Sequence, residues 1–579
     1  MPFGYHGCYL RIDLSHPSTS LGVALVPLAE TVLRQFIGGS GLGVRLLLDE
    51  GRAHSDALDP RAPLIFAFSP LVGSSLTTSA KFAVVSKSPL TNRINDSLAS
   101  SGFAIAGKSC GCDAIVIVGR ASELSVLIIE DDQVRVESAA DCAGMTCQAT
   151  DTQLRARLGA NFRIATIGAA GEKGVRYATI SHDGRHAGRG GSGAVMGAKN
   201  IKAIAVRGTQ RAEWAHPRQM TAISKDLSRR SFGPATAKYR DLGTATNLLT
   251  FNRFGALPTR NFQTGTFAEA ENLSAEQLTA TRAKTTDSCV TCTIGCEHLY
   301  ATPNGAVRVE YESLFALGSL CGVGDADVVL RASQRCDELG LDTISTGGTI
   351  AFAMECVERG WLDAPWLVFG SGDALLRAID EIGSRDGVGD LLADGSRAAA
   401  HAIGHNSIAI AAQVKGLEMP GYEPRALQTM ALGLAVGARG ADHNRSGAYE
   451  VDFSDKVDRR HATLESVRHA IDTEDRAALM DSLIVCKFLR GVFEDFHGEM
   501  AAMLRSVTGW DVTASELRDT AARIVAAKRE FNLLAGWTRD EDTLPERFFD
   551  SPLPNDAMAR LGREQLDALV AEYHRQRGW

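Results

Sequence analysis

Hydrophobic positions follow a strand-like pattern over roughly the first 210 residues of the chain. Short apolar runs alternate there with turns of glycine, serine and aspartate, which is typical of β-strands. The runs are LIFAFS at 64–69, KFAVVS from Lys81, AIVIV from Ala114, SVLIIE from Ser125 and KAIAVRG from Lys202. We therefore predict a β-rich, sandwich-like domain over residues 1–210.

After Glu213 the apolar residues recur at helical spacing, as in DVVLRASQRCDEL, LRAIDEIG and SELRDTAARIVAAKREFNLLAG. Gly340 and Gly536 follow two of these stretches, in the position where glycine commonly ends a helix. The pattern predicts two mostly helical domains, at 211–413 and 414–579. The fold class expected for the whole chain is α+β.

Length and composition fit a globular protein of about three domains. The chain has 579 residues, 45% of them apolar and 22% charged. No stretch reaches the roughly 18 to 20 consecutive apolar residues that span a bilayer, and the N-terminal segment lacks the pattern of an export signal. We expect a cytoplasmic protein without membrane contact. A net charge of −8 without a Lys/Arg block argues against nucleic acid and favours a small-molecule substrate.

Three of the twelve cysteines form a compact C-x2-C-x3-C motif at Cys289, Cys292 and Cys296. Gly295 allows the tight wrap of a ligand loop, and three thiolates can hold an iron–sulfur cluster with one iron left open. With His298 as a fourth ligand the same residues also satisfy tetrahedral zinc, and three buried cysteines without a ligand are the plainest alternative. Radical enzymes that use S-adenosylmethionine have the reverse order of spacings. We favour an iron–sulfur cluster and a redox enzyme.

A glycine-rich segment, GRGGSG at 188–193, matches G-x-G-x-x-G. The polar residues before it and the lack of a surrounding βαβ pattern make a nicotinamide or flavin site a poor fit. Its bare backbone N–H groups, beside Arg185 and Arg189, suit a phosphate or another anionic group. A plain glycine-rich turn is the alternative.

Two acidic segments share one spacing. Asp337 and Asp342 lie five residues apart around the end of a predicted helix, where the helix dipole disfavours anions and a carboxylate needs a donor. Asp481 and Cys486 repeat this spacing. Taken alone, Cys486 lies in an apolar run, which predicts a core thiol. A solvated aspartate near a helix end is the alternative interpretation of the acidic residues.

Two further residues suit proton transfer. Glu312 precedes the apolar stretch SLFAL, and a carboxyl group packed against such a wall has a raised pKa. His443 lies in the polar run RGADHNR, where a histidine can exchange protons near neutral pH. A solvated Glu at a helix start and a surface His are the alternatives.

Taken together, these segments resemble the aldehyde:ferredoxin oxidoreductase family of tungsten-pterin enzymes. The resemblance runs from Gly4-Tyr5 to the LPERF segment at 544–548, and it rests on five stretches in the same order. They are GRHAGRGGSGAVMGAKNIKAIAV, TTDSCVTCTIGC, VEYESLFALG, CDELGLDTISTGG and FNLLAGWTRDEDTLPERF.

The resemblance implies a 4Fe–4S cluster with Cys486 as its fourth ligand, which replaces the core-thiol interpretation. It also implies a tungsten or molybdenum atom that two pterins hold without a protein ligand, and a Mg2+ ion that bridges the pterin phosphates. The implied pterin contacts are Lys81, Arg185, Gly188, Arg189, Gly190, Asp337, Leu341, Asp342, Asp481 and Val485. The implied catalytic residues are Glu312 as acid or base, with His443 and Tyr422 as hydrogen-bond donors to the reacting oxygens.

The implied activity is oxidation of an aldehyde to a carboxylic acid. Electrons would pass singly through the cluster to ferredoxin or a ferredoxin-like subunit, within a homodimer or hetero-oligomer. Two alternatives stay open: reduction of an aromatic or other activated acyl thioester with the same cofactors, and a non-catalytic electron-relay subunit. Arg331-Ala332-Ser333-Gln334 replaces the E-x-x-H motif with which some dimeric members bind a bridging metal, so we expect that metal to be absent.

Overall fold

The computed structural model describes residues 2–16, 21–303, 305–554 and 556–579, apart from the side chain of Asp550. The first twelve strands form two six-stranded sheets, each from a continuous part of the chain. The strands of sheet A are β1 (Cys8–Asp13), β2 (Gly22–Pro27), β3 (Leu64–Ala67), β4 (Lys81–Lys87), β5 (Ile94–Ser100) and β6 (Ala114–Val118). Their order is β2-β1-β6-β3-β4-β5, and all neighbours are antiparallel except β1 and β6.

Sheet B repeats this size and mixed topology. Its strands are β7 (Ser125–Glu130), β8 (Gln133–Ser138), β9 (Arg163–Thr166), β10 (Ile180–His182), β11 (Arg185–Ala187) and β12 (Ile201–Arg207). Their order is β11-β10-β9-β12-β7-β8, with β7 and β12 as the parallel pair. Central strands such as β4 and β12 are buried along almost their whole length, which explains their uninterrupted apolar runs.

Helices make up most of the remainder. Those within the first 210 residues are α1 (Glu30–Phe36), α2 (Gly39–Asp49), α3 (Gly102–Lys108), α4 (Cys147–Leu158), α5 (Ala169–Glu172) and α6 (Ser192–Ala198). The next are α7 (Pro217–Ser231), α8 (Pro234–Leu242), α9 (Asn247–Arg253), α10 (Ala275–Thr281), α11 (Tyr311–Leu317), α12 (Ala326–Leu339), α13 (Thr343–Glu358), α14 (Gly372–Ser384), α15 (Val388–Leu392) and α16 (Ser396–Ile403). The last are α17 (Gln428–Val436), α18 (His443–Ser446), α19 (Tyr449–Asp452), α20 (Leu464–Leu483), α21 (Phe496–Thr508), α22 (Ala514–Leu534), α23 (Arg547–Asp550) and α24 (Arg563–Arg577).

Two small sheets interrupt these helices. The strands β13 (Lys284–Asp287), β14 (Glu297–Thr302) and β15 (Gly305–Val309) form an antiparallel sheet, and β16 (Gln413–Val414) pairs with β17 (Leu417–Glu418). The predicted α+β class, β-rich first and mostly helical afterwards, is confirmed.

Short helices separate the two large sheets. α3 contacts β4, β9 and β12, and α6 contacts β3, β4 and β12, so both pack between sheets A and B. α2 covers the opposite face of sheet A, because Gly43 of α2 lies against Val85 while Ser192 of α6 contacts Ser86. The sandwich is therefore layered, with helices between its sheets.

The C-terminal part of the chain packs against the two large sheets. One buried apolar cluster joins sheets A and B to the end of α20 and to α21 and α22. A second contains most of the apolar side chains of α11 to α17 and α24, and a small third lies between sheet B and α4. Residues after 414 thus contribute to both large clusters, and the boundaries at 210 and 413 stay predictions.

Within the described ranges, no single helix is long and apolar enough to cross a membrane. Tyr311–Cys321 and Ala326–Leu339 reach that length and composition only as a pair, and the two segments are bent by 119°.

Candidate functional site

The four predicted cluster cysteines lie in two segments that Thr78 joins. Cys289, Cys292 and Cys296 lie in the loop between β13 and β14, and Cys486 follows the end of α20. The backbone N–H of Thr78 donates to the carbonyl oxygen of Thr291 at 3.1 Å, and its hydroxyl accepts from the N–H of Cys486 at 3.1 Å. Tertiary structure thus brings Cys486 beside the triplet.

The cysteine quartet differs from most other cysteines in its exposure. All four are half-buried, whereas every other cysteine except Cys8 is fully buried, so the core-thiol interpretation of Cys486 is wrong. Burial raises the pKa of Cys292, and the charge of Cys486 raises it further. Burial and neighbouring charge thus disfavour the thiolate form, so holding these side chains as thiolates requires a bound cation, which an iron–sulfur cluster would supply.

Zinc fits this loop poorly. The Nε2 atom of His298, the proposed fourth ligand, lies 3.1 Å from the carbonyl oxygen of Arg240, so only Nδ1 is left without a partner among the described residues. Among the described residues, no three His, Cys, Asp or Glu side chains converge closely enough for one metal ion. A four-iron cluster places iron and sulfide between its thiolates, so its ligands stand farther apart than those of a single metal ion.

The two acidic segments have the same backbone turn. α12 ends at Leu339, Gly340 follows at φ 74°, and the N–H of Leu341 donates to the carbonyl of Cys336 at 2.8 Å. α20 ends at Leu483, Ile484 follows at φ 66°, and the N–H of Val485 donates to the carbonyl of Met480 at 2.9 Å. Both are left-handed helix ends of the Schellman type. The shared five-residue spacing in the sequence was the signal of this repeat.

The first segment is tied to the edge of sheet B. Asp337 Oδ1 lies 3.1 Å from His186 Nε2, and Arg308 lies 3.8 Å from the other oxygen. Burial raises the pKa of Asp337, but the interactions with His186 and Arg308 outweigh burial and lower that pKa overall. Asp342 caps α13 by accepting from the N–H groups of Ile344 and Ser345, both at 3.3 Å.

The second segment carries a charged cluster. Asp481 Oδ2 lies 3.0 Å from Lys487 Nζ and 3.2 Å from Arg445 Nη1. Its other oxygen is buried without a hydrogen-bond partner within the described part of the chain. Lys81 lies near this segment. Burial lowers the pKa of its ammonium group, but the charges of Cys486 and Cys289 outweigh burial and raise that pKa overall.

The glycine-rich segment connects a strand to a helix, as a dinucleotide site would require. The strand, however, is not part of a parallel sheet. β11 is an antiparallel edge strand paired with β10, and α6 begins at Ser192, so no parallel βαβ unit surrounds the turn. The position of Gly188 leaves open space where a Cβ atom would stand, whereas Gly190 lies at φ 87° against Asn95. The backbone at Gly188 can therefore be approached closely by a ligand.

Both arginines near this turn are engaged within the protein. Arg185 forms an ion pair with Glu297. Arg189 is buried, donates from Nη1 to the carbonyl of Ala441 at 2.6 Å and lies 3.4 Å from Asp342 Oδ2. Arg189 thereby joins the glycine-rich turn to the first acidic segment.

Glu312, His443 and Tyr422 converge in the interior. Glu312 is the second residue of α11, with a side chain that is 15% exposed, and its Oε1 lies 3.6 Å from His443 Nε2. The ring of His443 stacks on Tyr422 with centroids 5.1 Å apart. Tyr422 is 4% exposed and His443 is 8% exposed, so the surface-His alternative is wrong. The solvated-Glu alternative is wrong for the same reason.

The protonation states of these residues follow from their burial. Burial raises the pKa of Glu312 to about 8, against the opposing effects of the Gly421 N–H and the charge of Arg189. Burial lowers the pKa of His443 to about 3, so its ring is neutral at physiological pH. The amide nitrogen of Asn444 lies 2.9 Å from His443 Nε2, and a donor there places the ring proton on Nδ1.

Several neighbours of this triad did not emerge from the sequence. Tyr449 lies 4.9 Å from Tyr422 by ring centroids, and its hydroxyl accepts from Arg490 at 2.6 Å. The hydroxyl of Tyr311 donates to the carbonyl of Gly421, the residue that also donates to Glu312. Tyr311 stands directly before Glu312 in the sequence, which was the available signal.

Buried polar atoms without a partner among the described residues occur in these segments, as they do at several other places in the chain. Those on the residues discussed so far include Glu312 Oε1, His443 Nδ1 and Asp481 Oδ1, and Arg439 Nε is a fourth. Because buried polar groups in proteins are nearly always paired, these four atoms are available to a polar ligand. The donors and acceptors fit a large polar cofactor.

Comparison with protein families covers almost the whole chain. Residues 9–208 match the aldehyde ferredoxin oxidoreductase N-terminal domain, and residues 222–579 match domains 2 and 3 of the same family. The chain belongs to the aldehyde ferredoxin oxidoreductase family. It is therefore an oxidoreductase.

Full-length relatives agree with this membership. The chain is 35% identical to the tungsten-containing aldehyde ferredoxin oxidoreductases of Thermococcus kodakarensis and Pyrococcus furiosus, over 100% of its length and 96% of theirs. Among solved structures, the active-site complex BamBC of benzoyl coenzyme A reductase with 1,5-dienoyl-CoA superposes with a TM-score of 0.85 at 22% identity. That superposition covers 100% of this chain and 95% of the other, and it shows a shared fold.

Proposed function

We propose that the protein oxidises an aldehyde to a carboxylic acid with a tungsten or molybdenum bis-pterin cofactor and a 4Fe–4S cluster. The observation that carries this proposal is the buried group of Glu312, His443 and Tyr422. Arg189, Asp342 and Asp442 all influence the pKa of Glu312, so the carboxyl group lies beside the first acidic segment. A buried acid with a perturbed pKa beside segments predicted to bind a cofactor is typical of an active site.

Each cofactor has candidate ligands on the chain. Cys289, Cys292, Cys296 and Cys486 would hold the cluster. The pterins, with any Mg2+ between their phosphates, would lie against the two Schellman turns, Lys81 and the glycine-rich turn. When bound, the metal would supply the centre that takes up two electrons from the substrate.

The protein side chains would manage protons and charge. Aldehyde oxidation converts RCHO and H2O into RCOOH, two protons and two electrons, so the site needs a proton acceptor. Glu312 Oε1, which has no hydrogen bond from the described residues, is suited to accept a proton from the attacking water. His443 Nδ1 and the Tyr422 hydroxyl would donate to the substrate oxygen and stabilise negative charge that develops there.

Elemental analysis of anaerobically purified protein, with a dye-reduction assay, tests this proposal. We expect about four Fe and one W or Mo per chain, as the cofactors of this type require. We also expect viologen reduction that depends on an added aldehyde. Zinc without iron, or full cofactor loading without activity on any aldehyde, would contradict the proposal.

A second candidate is reduction of an activated acyl thioester. A cavity of about 320 Å³ is lined in part by Arg253, Arg459 and Arg460, and such cations suit the phosphates of coenzyme A. Phe254, which also lines this cavity, begins a series of neighbouring rings. Phe254, Phe453, Phe251 and Tyr422 follow one another at centroid distances of 5.7, 5.2 and 5.1 Å.

The two candidates differ in substrate and in electron direction. Holoenzyme that oxidises benzaldehyde but does not reduce benzoyl-CoA with a strong reductant supports aldehyde oxidation. The reverse result, together with a loss of thioester reduction in the R459A/R460A variant, supports the second candidate. The oligomeric state and the partner subunit stay predictions.

A further inference from the structure

The helix α7 has an exposed cationic face. Arg218, Lys225 and Arg229 are exposed and spaced by seven and four residues, which places them on one side of the helix. Arg218 and Lys225 have no ion pair or hydrogen bond to any residue that the structure describes. Arg229 contacts Asp226 at 2.6 Å. The chain as a whole carries a charge of −8, so this face is a local exception.

A shallow cavity of about 450 Å³ opens on this face. Its lining residues are Ser75, Thr221, Ser224, Lys225, Ser228 and Arg229. Ser224 is only 4% exposed, and its hydroxyl has no hydrogen-bond partner among the described residues. Hydroxyl groups and cations together bind carboxylates well, because each can donate a hydrogen bond to the anion.

Residues close in sequence to those that line the cavity are hydrogen-bonded to the predicted cluster loop. Ser231, the last residue of α7, has its hydroxyl 2.6 Å from that of Thr293. Thr77, two residues after Ser75, has its hydroxyl 2.7 Å from the same Thr293 oxygen. Thr293 directly follows Cys292, so the cavity lies against the loop that would hold the cluster.

Exposed apolar side chains complete the surface. Phe232, which follows α7, is 57% exposed, and Val290 of the cysteine loop is 40% exposed. Apolar residues bordered by cations are common at protein interfaces that depend on charge complementarity. We call Arg218, Lys225, Arg229, Phe232 and Val290, with the cavity, the α7 surface.

We propose that the α7 surface docks an acidic electron-transfer protein, whose carboxylates bind the cations and hydroxyls of the cavity. This inference rests on the proposed function, because the electrons come from the aldehyde. Each aldehyde yields two electrons, which a cluster held by Cys289, Cys292, Cys296 and Cys486 would pass on one at a time. Each electron reduces one oxidised iron–sulfur centre of the docked protein, and the two protons are released to water.

The test compares a protein acceptor with a small one. Holoenzyme and the K225E/R229E variant are assayed with an acidic two-cluster bacterial ferredoxin and, separately, with benzyl viologen. The matched control is K456E/R468E, which changes the net charge equally. Both control residues are exposed, and Arg468 lies about four turns along α20 from the end that leads to Cys486.

Charge reversal should raise the KM for ferredoxin by about tenfold or more at low ionic strength, because electrostatic steering changes association rates by about 10- to 1000-fold. The difference should shrink at high salt, and viologen reduction and the control variant should be unchanged. Unchanged ferredoxin kinetics in K225E/R229E, with viologen activity intact, would overturn the proposal.

A direct measurement of ferredoxin binding tests the docking surface independently of the proposed activity. Calorimetric titration of holoenzyme with the same ferredoxin, and with inorganic phosphate, does not require aldehyde turnover. Loss of ferredoxin binding in K225E/R229E alone supports the docking surface even if no aldehyde is oxidised. Phosphate binding that the variant abolishes, with ferredoxin binding unchanged or absent in the wild type, would indicate a site for small anions and overturn the docking proposal.

Discussion

Glu312 illustrates how burial sets the chemistry of a single residue. Its carboxyl group receives one backbone hydrogen bond, from Gly421, and faces the neutral ring of His443. Burial raises its pKa to about 8 because little else offsets the loss of water. At neutral pH most Glu312 side chains are therefore protonated, and the deprotonated fraction, which can accept a proton, grows as the pH rises.

We therefore expect Glu312→Gln to lower kcat by about 10²- to 10⁴-fold, as loss of a general base does. In the wild type, kcat/KM should rise with pH through about 8, and the residual activity of the variant should lack that rise. Steady-state kinetics and metal analysis check this. Glu310→Gln is the control, since Glu310 lies two residues earlier with an exposed side chain. Near-normal turnover in Glu312→Gln would remove Glu312 from the mechanism.

His443 should act as a neutral donor. Burial lowers its pKa to about 3, so its protonation cannot produce a kinetic limb near pH 6.5. His443→Phe keeps a ring against Tyr422 but loses both nitrogens, and we expect kcat to fall about 10²-fold, in the range for loss of one charge-stabilising donor. A pH–rate profile checks the assignment. A limb near pH 6.5 that disappears in the variant would show that His443 titrates.

At the scale of elements, two helix ends and one loop build most of the site. α12 and α20 end in the same left-handed turn, each with an aspartate on its last turn. The turn at the end of α12 packs closely against the backbone at Gly168. A Cβ atom added to Gly168 would stand 2.2 Å from the carbonyl oxygen of Leu339. The first acidic segment thus depends on a glycine far from it in the sequence.

Gly168→Ala should displace the end of α12. We expect a loss of about 1–3 kcal/mol of stability, the usual cost of forced overpacking, and a lower tungsten or molybdenum content. Denaturant unfolding and metal analysis check both effects. Gly562→Ala is the control, because Gly562 lies at φ −81° and its added Cβ would meet Gln565 at an ordinary 3.6 Å. Equal metal content in the two variants would contradict the role of this contact.

Cys486 belongs to a different element from the other predicted ligands. Cys486→Ala should lose iron and alter the electron paramagnetic resonance of the reduced cluster, because one thiolate ligand is removed. Cys321→Ala is the comparison, since Cys321 is fully buried in the helical core and should keep its full iron content. Retention of a normal 4Fe–4S signal in Cys486→Ala would exclude Cys486 as a ligand.

At the scale of the whole molecule, the site forms where separate parts of the chain meet. Sheet B supplies His186 and the turn after it supplies Arg189, while α11 supplies Glu312 and α18 supplies His443. Asp96 of sheet A joins this assembly: its Oδ2 accepts from Lys528 at 2.7 Å and its Oδ1 lies 3.1 Å from Arg445. Packing between the sheets and the C-terminal helices is therefore a condition for the site.

Removal of the cofactors should destabilise the whole protein. Without them, buried atoms such as Glu312 Oε1, His443 Nδ1 and Asp481 Oδ1 have no partner in the described chain, and buried unpaired groups cost about 1–3 kcal/mol each. A cofactor that binds the native state but not the unfolded state also stabilises the native state by mass action. Anaerobic calorimetry should show a lower Tm for apoprotein than for holoenzyme. Equal Tm values would mean that the cofactors do not fill this space.

Local sequence patterns predicted a large part of this architecture. The strand-like runs correspond to buried strands such as β4, and the helical spacing around Gly340 corresponds to α12 and its left-handed end. The prediction failed where the outcome depended on distant neighbours. Cys486 looked like a core thiol and His443 like a surface residue, because an apolar or polar run does not reveal what packs against it.

The sequence by itself determined the elements, the cysteine triplet and the family resemblance, since strand periodicity, helix ends and short ligand loops depend on residues close in the chain. Only the tertiary structure placed Cys486 beside that triplet and His443 beside Glu312. It also decided the pKa values of the site, because burial and charge neighbours arise from segments more than a hundred residues apart. The α7 surface likewise required the fold, which brings Thr77, Ser231 and Thr293 into contact.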